Sequence, residues 1–259
     1  MIDLHAHFAA GAKAVNGWCA IPSPVTAEIM GRQGFDLMTI DLQHGLIDYQ
    51  MALTMLQVLQ GLPAPVLARV PRNEPGILAK CLDAGFAGVI CPMINTAEEA
   101  KRVVQSTRYA PLGSRSIGPT RANMVYGPSY AKTANAKILV LAMIETREAL
   151  NNLDEILKVE GIDGIYVGPS DLGLSLGFEP TLDPTTPEVL EAIAEIATRT
   201  KAAGKIAGVH TGSPAMIRRS FAQGFDFASL LTDARMFANA VAAQLAAVHE
   251  TTAEAVKGY

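Results

Sequence analysis

The 259-residue chain has no excess of basic residues. Its 21 lysines and arginines are outnumbered by 25 aspartates and glutamates, which gives a formal net charge of −4. Proteins that bind nucleic acid normally carry a basic patch that neutralises phosphates. The composition therefore disfavours nucleic acid as a main partner.

Cysteines and long apolar runs are also scarce. The three cysteines are Cys19, Cys81 and Cys91; they form no Cys-x-x-Cys pair, and an odd count suits reduced thiols in a cytoplasm. The longest strand-like apolar run, ILVLAMI at 138–144, is far too short to cross a bilayer as a helix. Polar residues at 3, 5, 7 and 13 interrupt any apolar core of a signal peptide. We therefore expect a soluble cytoplasmic protein with no membrane partner.

The chain does contain a regular alternation of short β-type runs with amphipathic helical segments. Apolar residues make up 49% of it, enough for a large core. The eight runs are GWCAIP (17–22), DLMTID (36–41), VLARV (66–70), GVICPM (88–93), ILVLAMI (138–144), GIYVG (164–168), KIAGVH (205–210) and FASLLT (227–232). A clear helix is predicted over 185–204, with Thr186 as cap, Pro187 in the first turn and Gly204 at the exit.

Eight such units in one chain of this length predict a single (β/α)8 barrel domain over 1–259, a fold of the α/β class. No Gly-x-Gly-x-x-Gly follows a strand, so a dinucleotide-binding sheet has no support. The longest irregular segment is predicted at 113–129. Long loops in compact domains are often functional, and we expect this one and 210–213 to line a pocket for the second substrate.

Polar side chains gather where four of the eight runs end, which is where barrels place their chemistry. These side chains are Asp41 and His44 after the second run, Arg69 at the third, Glu145 at the fifth, and Ser170 and Asp171 after the sixth. Singly, each has a structural explanation as a cap, a surface ion pair or a turn former. Together, at four strand ends, they favour a functional site.

The residue types indicate a particular chemistry. Two carboxylates, Glu145 and Asp171, supply hard oxygen ligands that suit Mg2+, Mn2+ or Co2+ and leave coordination positions open for a chelating 2-oxo acid. Backbone amides around Ser170 could hold the substrate carboxylate. Arg69 could balance the charge of an enolate, and His44, oriented by a carboxylate such as Asp41, suits proton transfer near neutral pH.

Longer stretches resemble a known family. The segments GFDLMTIDLQHG, LARVPRNEPGILAKCLDAGFAGVICPM, AMIETREALNNLDEIL and VEGIDGIYVGPSDLGLSLG are similar to the HpcH/HpaI aldolases, in the same order from about residue 17 to near 240. These are metal-dependent pyruvate-type aldolases, including 4-hydroxy-2-oxoheptanedioate and 2-dehydro-3-deoxyglucarate aldolases. The resemblance implies a (β/α)8 barrel that reversibly cleaves a 4-hydroxy-2-oxo acid into pyruvate, or hydroxypyruvate, and an aldehyde, as in aromatic catabolism.

The resemblance also implies a role for each candidate residue. Glu145 and Asp171 would hold the ion, His44 would be the acid/base with Asp41 as its partner, Arg69 would stabilise the enolate, and Gly168, Pro169, Ser170 and Asp171 would join Arg69 in binding substrate. An aspartate matching Asp83 would reach a neighbouring subunit's site. The assembly implied is a homo-hexamer, a trimer of dimers with an exchanged C-terminal helix.

Two positions depart from the family pattern. Many members have glutamate where this chain has Gln43, and glutamine where it has Met143. The base, the cation and both ligands are unaffected, so the reaction class stands while the exact donor and acceptor stay open. With Gln43 and Met143 at these two positions, the chain resembles the branch of the family that accepts hydroxypyruvate as nucleophile.

Other functions remain as alternatives. One is a lyase acting on a citrate-like or malyl-CoA thioester, although no basic segment for a CoA phosphate is evident. Another is a barrel that binds oxo acids without catalysis. The third is a zinc hydrolase that uses His5, His7, His210 and Asp233, since Asp-x-His-x-His can be a metal-binding strand end.

The opening MIDLHAHF argues against the hydrolase. Only four residues precede His5, too few for a barrel strand, and LHAHFAAGAK predicts a short helix that ends at Gly11. At helical spacing, residues two apart point about 200° apart, so His5 and His7 would not share an ion. We expect Leu4, Phe8 and Ala9 to cover the bottom of the barrel instead.

Overall fold

A computed structural model describes residues 3–249, and within them eight parallel strands form one closed barrel. The strands are β1 (Ala14–Cys19), β2 (Leu37–Asp41), β3 (Val66–Arg69), β4 (Gly88–Cys91), β5 (Leu139–Ile144), β6 (Gly164–Val167), β7 (Ile206–Thr211) and β8 (Phe227–Leu230). Each pairs with the next, and β8 closes on β1 with Phe227 opposite Ala14. The predicted (β/α)8 barrel is confirmed.

Thirteen helices lie within the same residues and surround the strands. They are α1 (Leu4–Ala9), α2 (Pro24–Gly31), α3 (Tyr49–Leu59), α4 (Pro75–Ala84), α5 (Ala97–Thr107), α6 (Thr120–Tyr126), α7 (Tyr130–Lys137), α8 (Arg147–Asn151), α9 (Leu153–Leu157), α10 (Pro169–Leu176), α11 (Pro187–Ala202), α12 (Pro214–Ala222) and α13 (Asp233–Val248). None of these helices is long and apolar enough to cross a membrane.

Side chains alternate between the two faces of the strands. In β5, Val140, Ala142 and Ile144 pack outward against the helices, while Leu139, Leu141 and Met143 point into the barrel. The interior cluster consists of Leu4, Phe8, Ala14, Trp18, Leu37, Leu67, Ala87, Ile90, Leu139, Leu141, Met143, Tyr166, Ile206 and Phe227. This arrangement is typical of a packed barrel whose strands are buried on both faces.

Helix α1 closes the N-terminal end of the barrel. Leu4 and Phe8 are buried, and the Phe8 ring stacks on Phe227 with 5.8 Å between centroids. Gly11 follows with φ of 78°, so the helix ends where the sequence predicts. Ala9 is exposed, contrary to expectation, because the face of α1 that carries Leu4 and Phe8 is turned away from it.

Several element boundaries differ from the predictions. Strand β1 begins at Ala14 rather than at residue 17, because pairing with β8 extends to that position. Strand β4 ends at Cys91, since Pro92 has no N–H to donate. Strand β8 ends at Leu230, because Leu231 has φ of 46°. Leu190 in α11 is only half-buried, and Val189 takes the buried position.

The segment 113–129 is not wholly irregular, since it contains α6. The residue before this helix, Pro119, makes no side-chain capping bond, so the local sequence carries no start signal. The helix is held by contacts to distant residues, including a 2.7 Å hydrogen bond from the Tyr126 hydroxyl to the carbonyl of Gly85. Such tertiary contacts cannot be read from local patterns.

Helix α13 makes little contact with its own barrel. Among its sixteen residues only Asp233 and Ala246 are buried. A row of apolar side chains, which we call the α13 stripe, is exposed to solvent: Phe237, Val241, Leu245 and Val248. Their spacing of four, four and three residues places them on one face of the helix.

Candidate active site

The predicted site residues continue the inward-facing alternation at the C-terminal ends of the strands. Asp41 ends β2, Arg69 ends β3, and Glu145 follows β5 directly. Each stands two residues after an interior side chain, namely Thr39, Leu67 and Met143. The barrel therefore places these three side chains around one cleft, with the interior cluster as its floor.

Asp41 and Arg69 form a buried ion pair. The Arg69 Nε donates to Asp41 Oδ1 at 2.8 Å, and a second guanidinium nitrogen donates to Oδ2. The Trp18 indole N–H also donates to Oδ2, at 3.2 Å, and the guanidinium lies 4.9 Å from the Trp18 ring centroid. This arrangement fixes the arginine by a bidentate contact and by stacking.

The remaining bonds of Asp41 hold the turn that carries His44. The backbone N–H groups of Gln43 and His44 donate to Asp41 Oδ1 at 3.0 and 3.3 Å. Burial alone would raise the pKa of Asp41, but the Arg69 charge and the hydrogen bonds from Arg69, Trp18 and Gln43 outweigh it and lower that pKa. Asp41 is thus an anion that organises both the cation and the loop bearing His44.

Glu145 lies on the other side of the cleft and is almost fully buried. Its Oε1 accepts the backbone N–H of Met93 at 2.8 Å. Met93 has φ of 55°, a left-handed conformation that is uncommon for a residue other than glycine. The turn after β4 therefore takes up a strained backbone shape that directs an amide at Glu145.

The Glu145 carboxylate is poorly compensated in the protein alone. Burial, together with the charge of Asp171 and against the opposing effects of the Met93 amide and Arg69, raises its pKa to about 7. A buried carboxylate whose ionisation is hindered by burial and by a neighbouring acidic residue favours a bound cation, which would stabilise its charged form.

Helix α10 begins beside Glu145 at the loop Gly168-Pro169-Ser170-Asp171. A Cβ on Gly168 would lie 2.6 Å from Glu145 Oε2, so only glycine permits this approach. Gly168 makes no side-chain capping bond to α10. No capping side chain at Gly168 therefore competes with an anion for the N-terminal amides of the helix.

These features fit a divalent ion held by Glu145 and Asp171. Their oxygens are the donor type that hard cations prefer, and a bound cation would oppose the burial that raises the pKa of Glu145. Among residues 3–249 no group of three or more His, Cys, Asp or Glu side chains is placed to hold a metal. A site built from two carboxylates leaves the other coordination positions to water or substrate.

Asp83 lies away from this cleft in its own chain. It is in the last turn of α4, which runs from the C-terminal end of β3 back towards the N-terminal end of β4. Its Oδ1 accepts a 2.6 Å bond from the buried guanidinium of Arg115. The structure therefore does not bring Asp83 together with Arg69 and Glu145 of the same chain.

The residues of the alternative zinc site are dispersed. His5 lies in α1 at the bottom of the barrel, where its Nε2 is 3.2 Å from the carbonyl oxygen of Ile138. His210, near the end of β7, and Asp233, which follows β8, lie at the opposite end of the barrel. Asp233 accepts the backbone N–H of Ala20 at 2.7 Å. The interpretation of His5 and His7 as a metal pair is not supported.

Sequence reasoning missed two aromatic residues of the cleft floor, Trp18 and Tyr166, and named His210 only within the predicted pocket segment 210–213 and as a ligand of the alternative zinc site. Trp18 contacts Asp41 and Arg69, while Tyr166 and His210 hydrogen-bond to each other at 3.0 Å. The period-two alternation could have identified Tyr166, which stands two residues before Gly168. Nothing local marks Trp18, the only tryptophan in the chain, because its partners come from other strands.

Fold and site together define a (β/α)8 barrel with an acidic site, an arginine and a histidine at the strand ends. The model of the HpcH/HpaI aldolase/citrate lyase family matches residues 17–240. A hydroxypyruvate/pyruvate aldolase of Rhizorhabdus wittichii is 42% identical over 230 residues, covering 89% of this chain and 92% of that protein. A 5-keto-4-deoxy-D-glucarate aldolase of Citrobacter koseri is 38% identical, covering 86% and 87%.

Solved structures agree with these matches. A family protein from Burkholderia cenocepacia superposes with a TM-score of 0.88 at 27% identity, covering 95% of this chain and 98% of that one. The chain belongs to the HpcH/HpaI aldolase/citrate lyase family. The family resemblance stated from sequence is confirmed.

Proposed function

We propose that this chain is a divalent-metal-dependent aldolase that reversibly cleaves a 4-hydroxy-2-oxo acid into pyruvate, or hydroxypyruvate, and an aldehyde. The reaction class, a pyruvate-type aldol cleavage, follows from the family and its aldolase relatives. The observation that carries the metal dependence is the buried Glu145 carboxylate, whose pKa is raised by burial and by the charge of Asp171 despite the Met93 amide and Arg69. This acidic pair faces the Asp41–Arg69 ion pair across the cleft.

Glu145 and Asp171 hold the ion in this proposal, and Mg2+, Mn2+ or Co2+ suit their oxygens. When bound, such an ion polarises the substrate carbonyl as a Lewis acid. Gly168 leaves the space beside Glu145 open. The amides of Ser170 and Asp171, after Pro169 in the first turn of α10, bind the substrate carboxylate at the positive end of the helix.

Arg69 stabilises the charge that develops during cleavage. As the C3–C4 bond breaks, its electron pair moves into the oxo acid to form an enolate, and the aldehyde leaves. A guanidinium held by Asp41 and Trp18 needs no reorganisation to interact with that charge. Proton return to C3 then completes the oxo-acid product.

His44 moves the protons. It removes the proton from the C4 hydroxyl, directly or through a water, and returns one to C3. Asp41 supports this role by accepting the His44 backbone N–H, which holds the loop at the mouth of the cleft. Asp41 therefore serves His44 and Arg69 together.

Assembly completes the site in this proposal. Asp83, which lies outside the cleft of its own chain, contributes to the site of a neighbouring subunit. The α13 stripe supports an exchanged C-terminal helix, because a helix with four exposed apolar residues on one face needs a partner. We assign a homo-hexamer, a trimer of dimers, and a cytoplasmic location that suits three unpaired buried thiols. A place in aromatic catabolism stays a prediction.

The test is a lactate-dehydrogenase-coupled assay of pyruvate release from a 4-hydroxy-2-oxo acid. EDTA should abolish activity and Mg2+, Mn2+ or Co2+ should restore it, while His44→Ala and Glu145→Ala should be inactive but folded. Unchanged turnover in Glu145→Ala would refute the metal role, and a lysine adduct trapped by borohydride would refute the mechanism. Cleavage of a citrate-like CoA thioester without aldolase activity would instead favour the lyase alternative.

A further inference from the structure

A chain of hydrogen bonds crosses the interior of the barrel towards the cleft. Asn16 on β1 donates through Nδ2 to Ser229 Oγ on β8, at 2.7 Å. Ser229 Oγ lies 2.6 Å from the Tyr166 hydroxyl on β6, and that hydroxyl lies 3.0 Å from Nδ1 of His210 on β7. We call these four residues, Asn16, Ser229, Tyr166 and His210, the interior relay.

Which group donates in each hydrogen bond of the relay follows from the number of protons that the groups have to donate. Ser229 Oγ accepts from Asn16 and has one proton of its own, for which Tyr166 Oη is the acceptor within reach. The tyrosine proton is then free to donate to His210 Nδ1. The reverse direction would leave the buried serine proton without an acceptor, which is costly in a protein interior.

This direction defines the tautomer of His210. Because Nδ1 accepts a hydrogen bond, the ring proton is on Nε2. Burial, with the nearby Arg69 and Arg235 cations and against the opposing charge of Asp41, lowers the pKa of His210 to about 3, so the ring is neutral at working pH. The structure shows this Nδ1 contact with the Tyr166 hydroxyl at 3.0 Å.

His210 lies beside the residues of the cleft. It is half-buried at the end of β7, and its ring meets the edge of Trp18 at 4.7 Å between centroids. The same indole contacts Arg69. His210 is therefore placed next to Arg69, which already supplies a cation for charged groups, and a neutral Nε2–H donor at this position suits an uncharged oxygen.

We propose that His210 determines specificity by donating a hydrogen bond from Nε2–H to a hydroxyl oxygen of the substrate, and that the interior relay holds that donor in place. This inference rests on the proposed aldolase function. The hydroxyl belongs either to a hydroxylated 2-oxo acid such as hydroxypyruvate or to a hydroxyaldehyde acceptor. A substrate without the hydroxyl would cover this half-buried donor and leave it unpaired, which disfavours that substrate.

The test measures aldol addition by the full-length enzyme with Mg2+ for four pairings: pyruvate or hydroxypyruvate with propanal or glycolaldehyde. His210→Phe keeps a ring but removes the donor. It should lower kcat/KM about 10- to 100-fold for the hydroxyl-bearing partner and leave pyruvate with propanal within roughly threefold. His210→Gln, which keeps an N–H donor, should recover part of the loss.

Two further variants examine the relay. Tyr166→Phe should lower kcat/KM in the same pairings by a smaller factor, about 3- to 10-fold. The loss should come mainly from a higher KM. The matched control is Thr200→Val, which removes a buried 2.7 Å hydrogen bond to the Ile196 carbonyl in α11 and touches no member of the relay, so it should change no pairing selectively.

The outcomes separate the two proposals. A loss confined to hydroxypyruvate places the hydroxyl on the nucleophile, and a loss confined to glycolaldehyde places it on the acceptor; either supports the role of His210. An equal loss in all four pairings, or none, overturns it while the aldolase function stands. A wild-type enzyme that is inactive in every pairing with metal present refutes the aldolase function itself.

Discussion

Arg69 contacts Asp41 through two nitrogen atoms at once, with Nε 2.8 Å from Oδ1 and a terminal nitrogen on Oδ2. Arg69→Lys keeps the charge but cannot reproduce this fork or the contact with Trp18. We expect kcat/KM for aldol cleavage to fall at least 100-fold, with thermal stability reduced only modestly. The coupled pyruvate assay measures the change in kcat/KM, and a melting curve measures the change in thermal stability.

A surface arginine provides the control for that substitution. Arg32 pairs with Glu28 across one turn of α2, and both side chains are well exposed. Arg32→Lys should leave activity unchanged, because exposed pairs contribute little and lie far from the cleft. Equal activity in Arg69→Lys and the wild type would contradict the assigned role of the guanidinium.

The raised pKa of Glu145 predicts a cost in stability for the metal-free protein. Folding raises this pKa from 4.5 to about 7, so the ionised carboxylate destabilises the fold as pH rises above 4.5, and the full penalty applies above 7. The penalty is about 3 kcal/mol. With EDTA present, Glu145→Gln should therefore unfold at a higher temperature than the wild type at pH 8, by roughly 5–10 °C, and without advantage near pH 4.

The control for this substitution is Glu148→Gln, which removes one negative charge at an exposed position of α8. It should leave the melting temperature within about a degree of the wild type at pH 8. A stability gain in Glu145→Gln that does not depend on pH would show that the buried charge is not its cause. Saturating Mg2+ should also stabilise the wild type but not Glu145→Gln.

Gly168→Ala tests the close approach of the α10 loop to Glu145. The new Cβ would lie 2.6 Å from Oε2, so the carboxylate must move. We expect the metal concentration for half-maximal activity to rise at least tenfold. Gly173→Ala is the matched control in the same helix, because its Cβ meets nothing nearer than 3.6 Å and alanine favours helix.

Mixed oligomers test whether Asp83 acts in a neighbouring site. Asp83→Ala and Glu145→Ala should each be inactive alone, since every site lacks one residue. Co-expressed, they should regain a fraction of wild-type activity, because some sites combine an intact Asp83 with an intact Glu145. A mixture of two variants from the same site, Glu145→Ala with Arg69→Ala, should not recover. No recovery with Asp83→Ala would confine its role to the bond with Arg115.

The α13 stripe should determine the oligomeric state. Phe237→Glu and Leu245→Glu place a charge on the exposed apolar face, and each should shift the mass measured by light scattering to smaller species. Ala243→Glu adds the same charge at an exposed position on the opposite side of the helix and should leave the mass unchanged. An unaltered mass in all three variants would exclude this face as an interface.

Much of the barrel could be predicted from the sequence because each strand is a compact apolar run bounded by turn residues. The rule that chemistry lies at the C-terminal strand ends then selected Asp41, Arg69 and Glu145, which the structure brings around one cleft. Those inferences depend only on the pattern of apolar residues along each strand and on where each strand ends. They do not need knowledge of which strands touch across the barrel.

The rest of the site depends on contacts across the interior. The bond between Tyr166 and His210, and the indole of Trp18 beneath Arg69, join strands that are far apart in sequence. The left-handed backbone conformation of Met93 could not be predicted from the sequence either, because the residue type methionine does not indicate it. Helix α6 was missed because distant contacts, and not a capping side chain, hold it.

The burial of every cysteine has a practical consequence. Cys19, Cys81 and Cys91 are all enclosed, and burial raises the pKa of each thiol, so none is reactive towards maleimides in the folded enzyme. A cysteine introduced at the exposed Ala9 would be the sole labelling point, at the end of the barrel opposite the cleft. Each subunit could then be tethered to a solid support with its active site facing the solution, without removing any native thiol.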